Sequence, residues 1–170
     1  RSILRENTMR SKIWNVAAQA VEQRLAGDKV WRPVGGRQTF DLVERGMCAK
    51  FVRQCVETAY DLMAFEWEYA RATAREDERA LRAAGLRVDK PQPGDIVCLN
   101  NQSYKAGHIA IFAGPVRIDG HLILPDPDGT VSIFENTSSG TRGKPRPAGT
   151  KVTPLSVVVS KLSGYYRAMK

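Results

Sequence analysis

Met47-Cys48-Ala49-Lys50-Phe51-Val52-Arg53-Gln54-Cys55-Val56 is the stretch whose reading decides the fold. Phe51, Val52, Cys55, Val56, Ala59, Leu62 and Met63 recur at i, i+3, i+4 spacing, the pattern of a helix buried along one face and starting at about Met47. Cys48 stands at the beginning of that stripe. A thiol on the first turn of a helix lies where unpaired backbone N–H groups carry positive partial charge, which favours the thiolate. Gly46, just ahead of it, lets the backbone turn tightly and lets a substrate come close. Cys55 falls mid-helix and Cys98 mid-strand, so both read as small buried hydrophobes.

A thiolate nucleophile needs a base, and the chain has only 2 histidines to supply one, His108 and His121. His108 opens the run Gly107-His108-Ile109-Ala110-Ile111-Phe112-Ala113-Gly114, which reads as a strand. At a strand tip, a rigid sheet can hold an imidazole against a thiol. His121 lies beyond an Asp119-Gly120 turn signal that suits a hairpin over Val116 to Leu124.

Upstream of the cysteine, Ile13, Val16, Ala17, Ala20, Val21 and Leu25 keep helical spacing up to Gly27, which predicts a packing helix from about Thr8 to Ala26. Asp28 to Gly46 carries Trp31, Pro33, Gly35 and Gly36 and reads as loop with a short strand; Trp31 is a candidate wall of a substrate cleft. Phe65 to Ala84 is rich in alanine and alternating charge, predicting further helix with a solvated face, ended by Gly85. After Pro91-Gln92-Pro93-Gly94 the period becomes strand-like. Asp95 to Leu99 and Thr130 to Glu135 read as strands, Asn100 to Gly107 and Asn136 to Gly149 as loops, and Val157 to Val159 and Gly164 to Met169 as the last strands. Helices followed by a mostly antiparallel meander make an α+β fold. We read residues 1–170 as one domain: a packing helix over 1–27, the nucleophile helix and its successor over 47–84, and the sheet over 93–170.

The net charge is +8 and the apolar content 42%. No window reaches the about 18 to 20 consecutive apolar residues of a membrane helix, so no membrane span is expected. The basic balance attracts an anionic partner, nucleic acid, anionic lipid or an acidic polymer such as a bacterial cell wall, but no ordered basic stripe with interleaved aromatics points to nucleic acid. The opening Arg1 reads as a processed chain or a segment of a longer one, and no secretory signal pattern follows it. Three cysteines exclude a full disulfide framework. Cys48 and Cys55, seven positions apart on one helix, are separated by about 10.5 Å, too far to bridge, whereas a Cys55–Cys98 bridge stays open. No zinc-ligand spacing exists, and neither a metal nor a cofactor is expected.

Cys48-Ala49-Lys50-Phe51-Val52, Pro93-Gly94-Asp95-Ile96-Val97 and Gly107-His108-Ile109-Ala110-Ile111-Phe112, in this order, resemble the NlpC-type and CHAP-type cysteine peptidases and amidohydrolases. The resemblance covers roughly Gly46 to Asn136. It implies a half-papain fold, in which a helix carrying the nucleophile packs on a small antiparallel sheet carrying the base. It also implies cleavage of amide bonds in peptidoglycan stem peptides, cross-bridges or sugar-peptide junctions, outside the cytoplasm or by a phage endolysin, by a monomer or a domain of a longer chain. The residue behind the histidine lies, by the same resemblance, on the next strand. Gly129 to Asn136 looks like that strand, with Glu135 and Asn136 as candidates; being adjacent, they face opposite ways, so only one reaches His108 readily. His121 is the NlpC-like alternative. Gly46, Gly107 and Trp31 are the expected substrate contacts. A wall-binding or phage structural module on the same fold, with no catalysis, is the rival reading.

Overall fold

The computed structural model describes residues 2–62, 66–101, 106–137 and 148–170. Met63 and Phe65, and parts of the two expected loops (102–105 and 138–147), lie outside the described residues. The chain runs α1 (Ser2–Leu25), β1 (Val30–Trp31), β2 (Phe40–Asp41), α2 (Cys48–Ala59), α3 (Ala74–Ala83), β3 (Arg87–Val88), β4 (Ile96–Cys98), β5 (Ile109–Asp119), β6 (Leu122–Pro125), β7 (Thr130–Thr137), β8 (Gly149–Pro154), α4 (Leu155–Val158) and β9 (Gly164–Tyr166). This is the expected α+β class. The main sheet has the order β3-β9-β4-β5-β7-β8, every pair antiparallel, with β6 hairpinned onto β5.

The helices cover one face of this sheet. Ile13, Ala17, Ala20 and Val21 of α1 and Phe51, Val52, Cys55 and Val56 of α2 are buried with Ile96, Ile109, Ile111 and Phe134 of the sheet. Trp14 of α1 meets the Phe134 ring edge-on at 5.6 Å and donates its indole N–H to the Ala113 carbonyl at 2.9 Å. On the opposite face Val97, Leu99, Ala110, Phe112 and Ile133 form a second layer, closed by Val158 of α4. Strand alternation divides the two sets, so on β7 Phe134 faces the helices and Ile133 faces away.

The Pro93-Gly94-Asp95 motif is where α1 crosses the start of β4. Gly94 has φ +98° and a Cβ there would stand 2.1 Å from the Arg10 carbonyl oxygen, so no other residue lets the helix pass so close. Asp95 ties the turn by accepting the Gln92 N–H at 2.7 Å.

Several expectations need correction. α1 begins at Ser2 rather than Thr8, since no proline or glycine interrupts the earlier residues, and Leu25 is exposed instead of joining the stripe. α2 stops at Ala59, before Leu62. Residues 66–73 are not helical. Trp67 and Tyr69 are buried there, and the Trp67 backbone N–H is taken by Glu57 Oε2 at 2.9 Å, a tertiary bond that competes with helix. α3 starts only at Ala74, after the N-cap Thr73, whose hydroxyl accepts from the Glu76 N–H at 3.2 Å and donates to Glu76 Oε1 at 2.9 Å. Its charges are not all solvated: Asp77 and Glu78 are buried.

The hairpin turn is Gly120-His121, between the paired residues Asp119 and Leu122. β8 lies at the end of the segment expected to be loop and just beyond it, while Val157 to Val159 is helical. The C-terminal strand β9 is inserted between β3 and β4, so the sheet is not a simple meander. All three cysteines are free. Among the described residues no helix is long and apolar enough to cross a membrane.

Candidate active site

Cys48 is the first residue of α2 and partly buried against the core. The first helical bond runs from the Phe51 N–H to the Met47 carbonyl at 2.8 Å, so the amides of the first turn have no carbonyl within the helix to bond. The backbone N–H groups of Ala49 and of Ile109, at the start of β5, are placed to favour the thiolate.

His108 stands one residue before β5, and the end of β4 holds both its backbone groups. Its carbonyl accepts the Leu99 N–H at 2.9 Å, and its own N–H donates to Asn100 Oδ1 at 2.8 Å. The ring Nε2 lies 2.7 Å from Glu135 Oε1. That leaves Nδ1 for the ring's other partner, the Cys48 thiol. Glu135 is only 2% exposed, and its second oxygen, Oε2, accepts the Thr153 hydroxyl from β8. Lys151, directly across the β7–β8 ladder, adds positive charge.

The electrostatics follow from this packing. Burial, the largest single influence on Cys48, raises its pKa; the hydrogen bond and charge of His108 and the two backbone N–H groups outweigh it, and the thiol falls below its ordinary value. Burial lowers His108, but hydrogen bonds to Cys48 and Glu135 and their charges raise it to about 9. Burial raises Glu135, and the imidazolium, Thr153 and Lys151 bring it below the usual carboxylate range. At neutral pH these shifts favour a thiolate–imidazolium pair backed by a carboxylate, an arrangement fit for nucleophilic attack on an acyl carbon. Cys55 and Cys98 go the other way, both pushed well up by burial.

Of the two neighbours expected behind the imidazole, Glu135 faces it and Asn136 does not. Asn136 shares the helix-side face of β7, where Oδ1 accepts the Met47 N–H at 2.9 Å and Nδ2 donates to the Glu44 carbonyl at 2.8 Å. It therefore holds the turn that launches α2. His121 is exposed in the hairpin turn at the far end of β5, an 11-residue strand, so about 35 Å of chain separates it from His108. Trp31 is partly buried, its ring tilted on Phe40 at 5.3 Å. Gly46 takes φ 75° in the turn before Cys48. Gly107, with φ +73°, makes room for a neighbouring side chain: a Cβ would stand 1.9 Å from Asn100 Oδ1.

Sequence reasoning missed Thr153, Lys151, Asn100 and the Ile109 N–H. All four depend on which distant segments meet in the packed sheet. Two clefts, of about 540 and 650 Å³, open beside α1 and contain neither Cys48 nor His108.

A family model described as CHAP domain matches residues 39–124, a span that includes Cys48 and His108 and stops before Glu135. No curated protein and no solved structure matches the chain.

Proposed function

The chain belongs to the CHAP domain family, and from that premise we propose that it is a cysteine-dependent hydrolase of amide bonds in bacterial peptidoglycan. CHAP domains are generally amidases or peptidases of peptidoglycan hydrolases. The observation that carries the cysteine mechanism is the array Cys48, His108, Glu135, with His108 Nε2 2.7 Å from the carboxylate and its other nitrogen left for the thiol.

In this reading the Cys48 thiolate attacks the amide carbonyl carbon. First-turn backbone N–H groups of α2 donate hydrogen bonds to the developing oxyanion. The C–N bond breaks as imidazolium His108 gives its proton to the leaving amine, and a thioester remains on Cys48. Neutral His108 then takes a proton from water, the hydroxide adds to the thioester, and a carboxylate product leaves as the thiolate returns. Glu135 stays ionised throughout and keeps the ring oriented. The net charge of +8 supports adhesion to an anionic wall. The half-papain arrangement and action outside the cytoplasm, in a secreted or phage lytic protein, belong to the same proposal.

Purified cell wall supplies the test. The protein releases free amines and soluble fragments, whose masses identify the scissile bond, and Cys48→Ser abolishes release. Lysis by Cys48→Ser sinks the mechanism, and full wall binding with no amine released by the unaltered protein favours a non-catalytic wall-binding module.

A further inference from the structure

Behind His108 lies a buried carboxylate that the chemistry above does not use. Glu78 of α3 is 5% exposed and is surrounded by donors. Its Oε1 accepts from Asn100 Nδ2 at 2.7 Å and from the Ser163 hydroxyl at 2.8 Å, and its Oε2 from the Tyr166 hydroxyl at 2.6 Å. Arg82 Nη2 approaches both Glu78 Oε2, at 3.4 Å, and the Tyr166 oxygen, at 3.1 Å. The Asn100 amide faces this carboxylate with its NH2, as donor. The amide is thereby fixed with Oδ1 turned the other way, towards the His108 N–H at 2.8 Å. Ser163 Oγ also accepts the Asn100 backbone N–H at 3.1 Å, which pins the residue at a second point.

The β4–β5 register ends at Cys98↔Ile109, and while the Leu99 N–H still reaches the His108 carbonyl, the His108 N–H is held by the Asn100 side chain. Gly107 completes the arrangement, since any side chain there would displace Asn100 Oδ1. We propose that Asn100, oriented by the buried Glu78, is the positioning residue that fixes the backbone of His108 against Cys48. This rests on the thiolate–imidazolium reading of Cys48 and His108. A catalytic group displaced by about 1 Å can lose about 100-fold in rate, so a single buried amide here controls how well the dyad forms.

The test is the pH dependence of iodoacetamide alkylation at Cys48, read by mass spectrometry of the Cys48 peptide in the whole chain. The unaltered protein reacts with a midpoint below the ordinary thiol range. If it does not, the dyad reading and this inference both fall. With that signature present, Asn100→Ala and Glu78→Ala, at retained circular dichroism and cooperative melting, move the midpoint up by about one unit, about tenfold less thiolate below the midpoint. Glu78→Gln, which keeps the size and an acceptor for Asn100, restores the wild-type midpoint, as a loss of bulk stability would not. Folded alanine variants with an unmoved midpoint overturn this inference alone and leave the dyad standing. Where the alanine variants do not fold, hydrogen exchange on the unaltered chain decides. A His108 amide as protected as those of β5 supports the anchor, and one exchanging like an exposed loop overturns it.

Discussion

Glu135→Gln isolates the charge behind the imidazole. Glutamine keeps the size and an acceptor oxygen for His108 Nε2, and its amide can meet the Thr153 hydroxyl, so what disappears is the negative charge 2.7 Å from the ring. In the wild-type site His108 is raised to about 9, against the pull of burial, by Cys48 and Glu135. A hydrogen bond to a charged group contributes about 1.5–3 kcal/mol and one pKa unit corresponds to about 1.4 kcal/mol, so neutralising Glu135 lowers the imidazolium by about one to two units. The sign is fixed by the mechanism. In the proposed mechanism the imidazolium is the acid that protonates the leaving amine, so activity persists below its pKa and falls as pH rises through it. The alkaline limb of amine release from cell wall therefore sits near 9 in the wild type and moves to about 7 to 8 in Glu135→Gln. The two profiles, recorded on the same wall preparation, check this. An alkaline limb that stays near 9 in a folded Glu135→Gln refutes the assignment of the charge partner.

Three further outcomes follow from the same geometry. Asn136→Ala removes two hydrogen bonds from the Glu44–Met47 turn, costing about 1–3 kcal/mol by chemical denaturation and lowering kcat, yet leaving the alkaline limb in place because Glu135 is untouched. His121→Ala, at the far hairpin, leaves the amine-release rate within about twofold, the scale of a surface change away from the chemistry. Burial, the largest influence, raises the Asp77 carboxyl to about 7, while the Arg71 backbone N–H opposes it. An acid raised on folding binds its proton more tightly in the folded state, so the protein loses stability as pH climbs from about 4 to 7. Asp77→Asn keeps the Arg71 N–H bonded and flattens that slope, which melting temperatures at pH 5 and 8 report.

The residues that announced themselves did so through local rules. The stripe from Phe51 to Val56 needs only a helical period and a core to face, and Cys48 at its head is a consequence of position within one helix. Ile109 to Phe112 alternates little because both faces of β5 are covered, and its short apolar run still reads as strand. Where local preference and tertiary demand disagreed, the reading failed. Residues 66–73 look helical by composition but give the Trp67 N–H to Glu57, and β8 is embedded in a polar stretch whose partner, β7, lies 12 or more positions away in sequence.

By itself the sequence determined the α+β class, the amphipathic helix headed by Cys48 and the strand that follows His108, because periodicity and turn chemistry act over a few residues. Only the tertiary structure decided which residue stands behind His108. Glu135 and Asn136 are adjacent and chemically comparable in the sequence, and strand alternation sends one to each face of β7. One meets the imidazole and the other the turn before Cys48. That choice, like the burial of Glu78 beneath Asn100, depends on register and on contacts between distant segments, which only the packed sheet fixes.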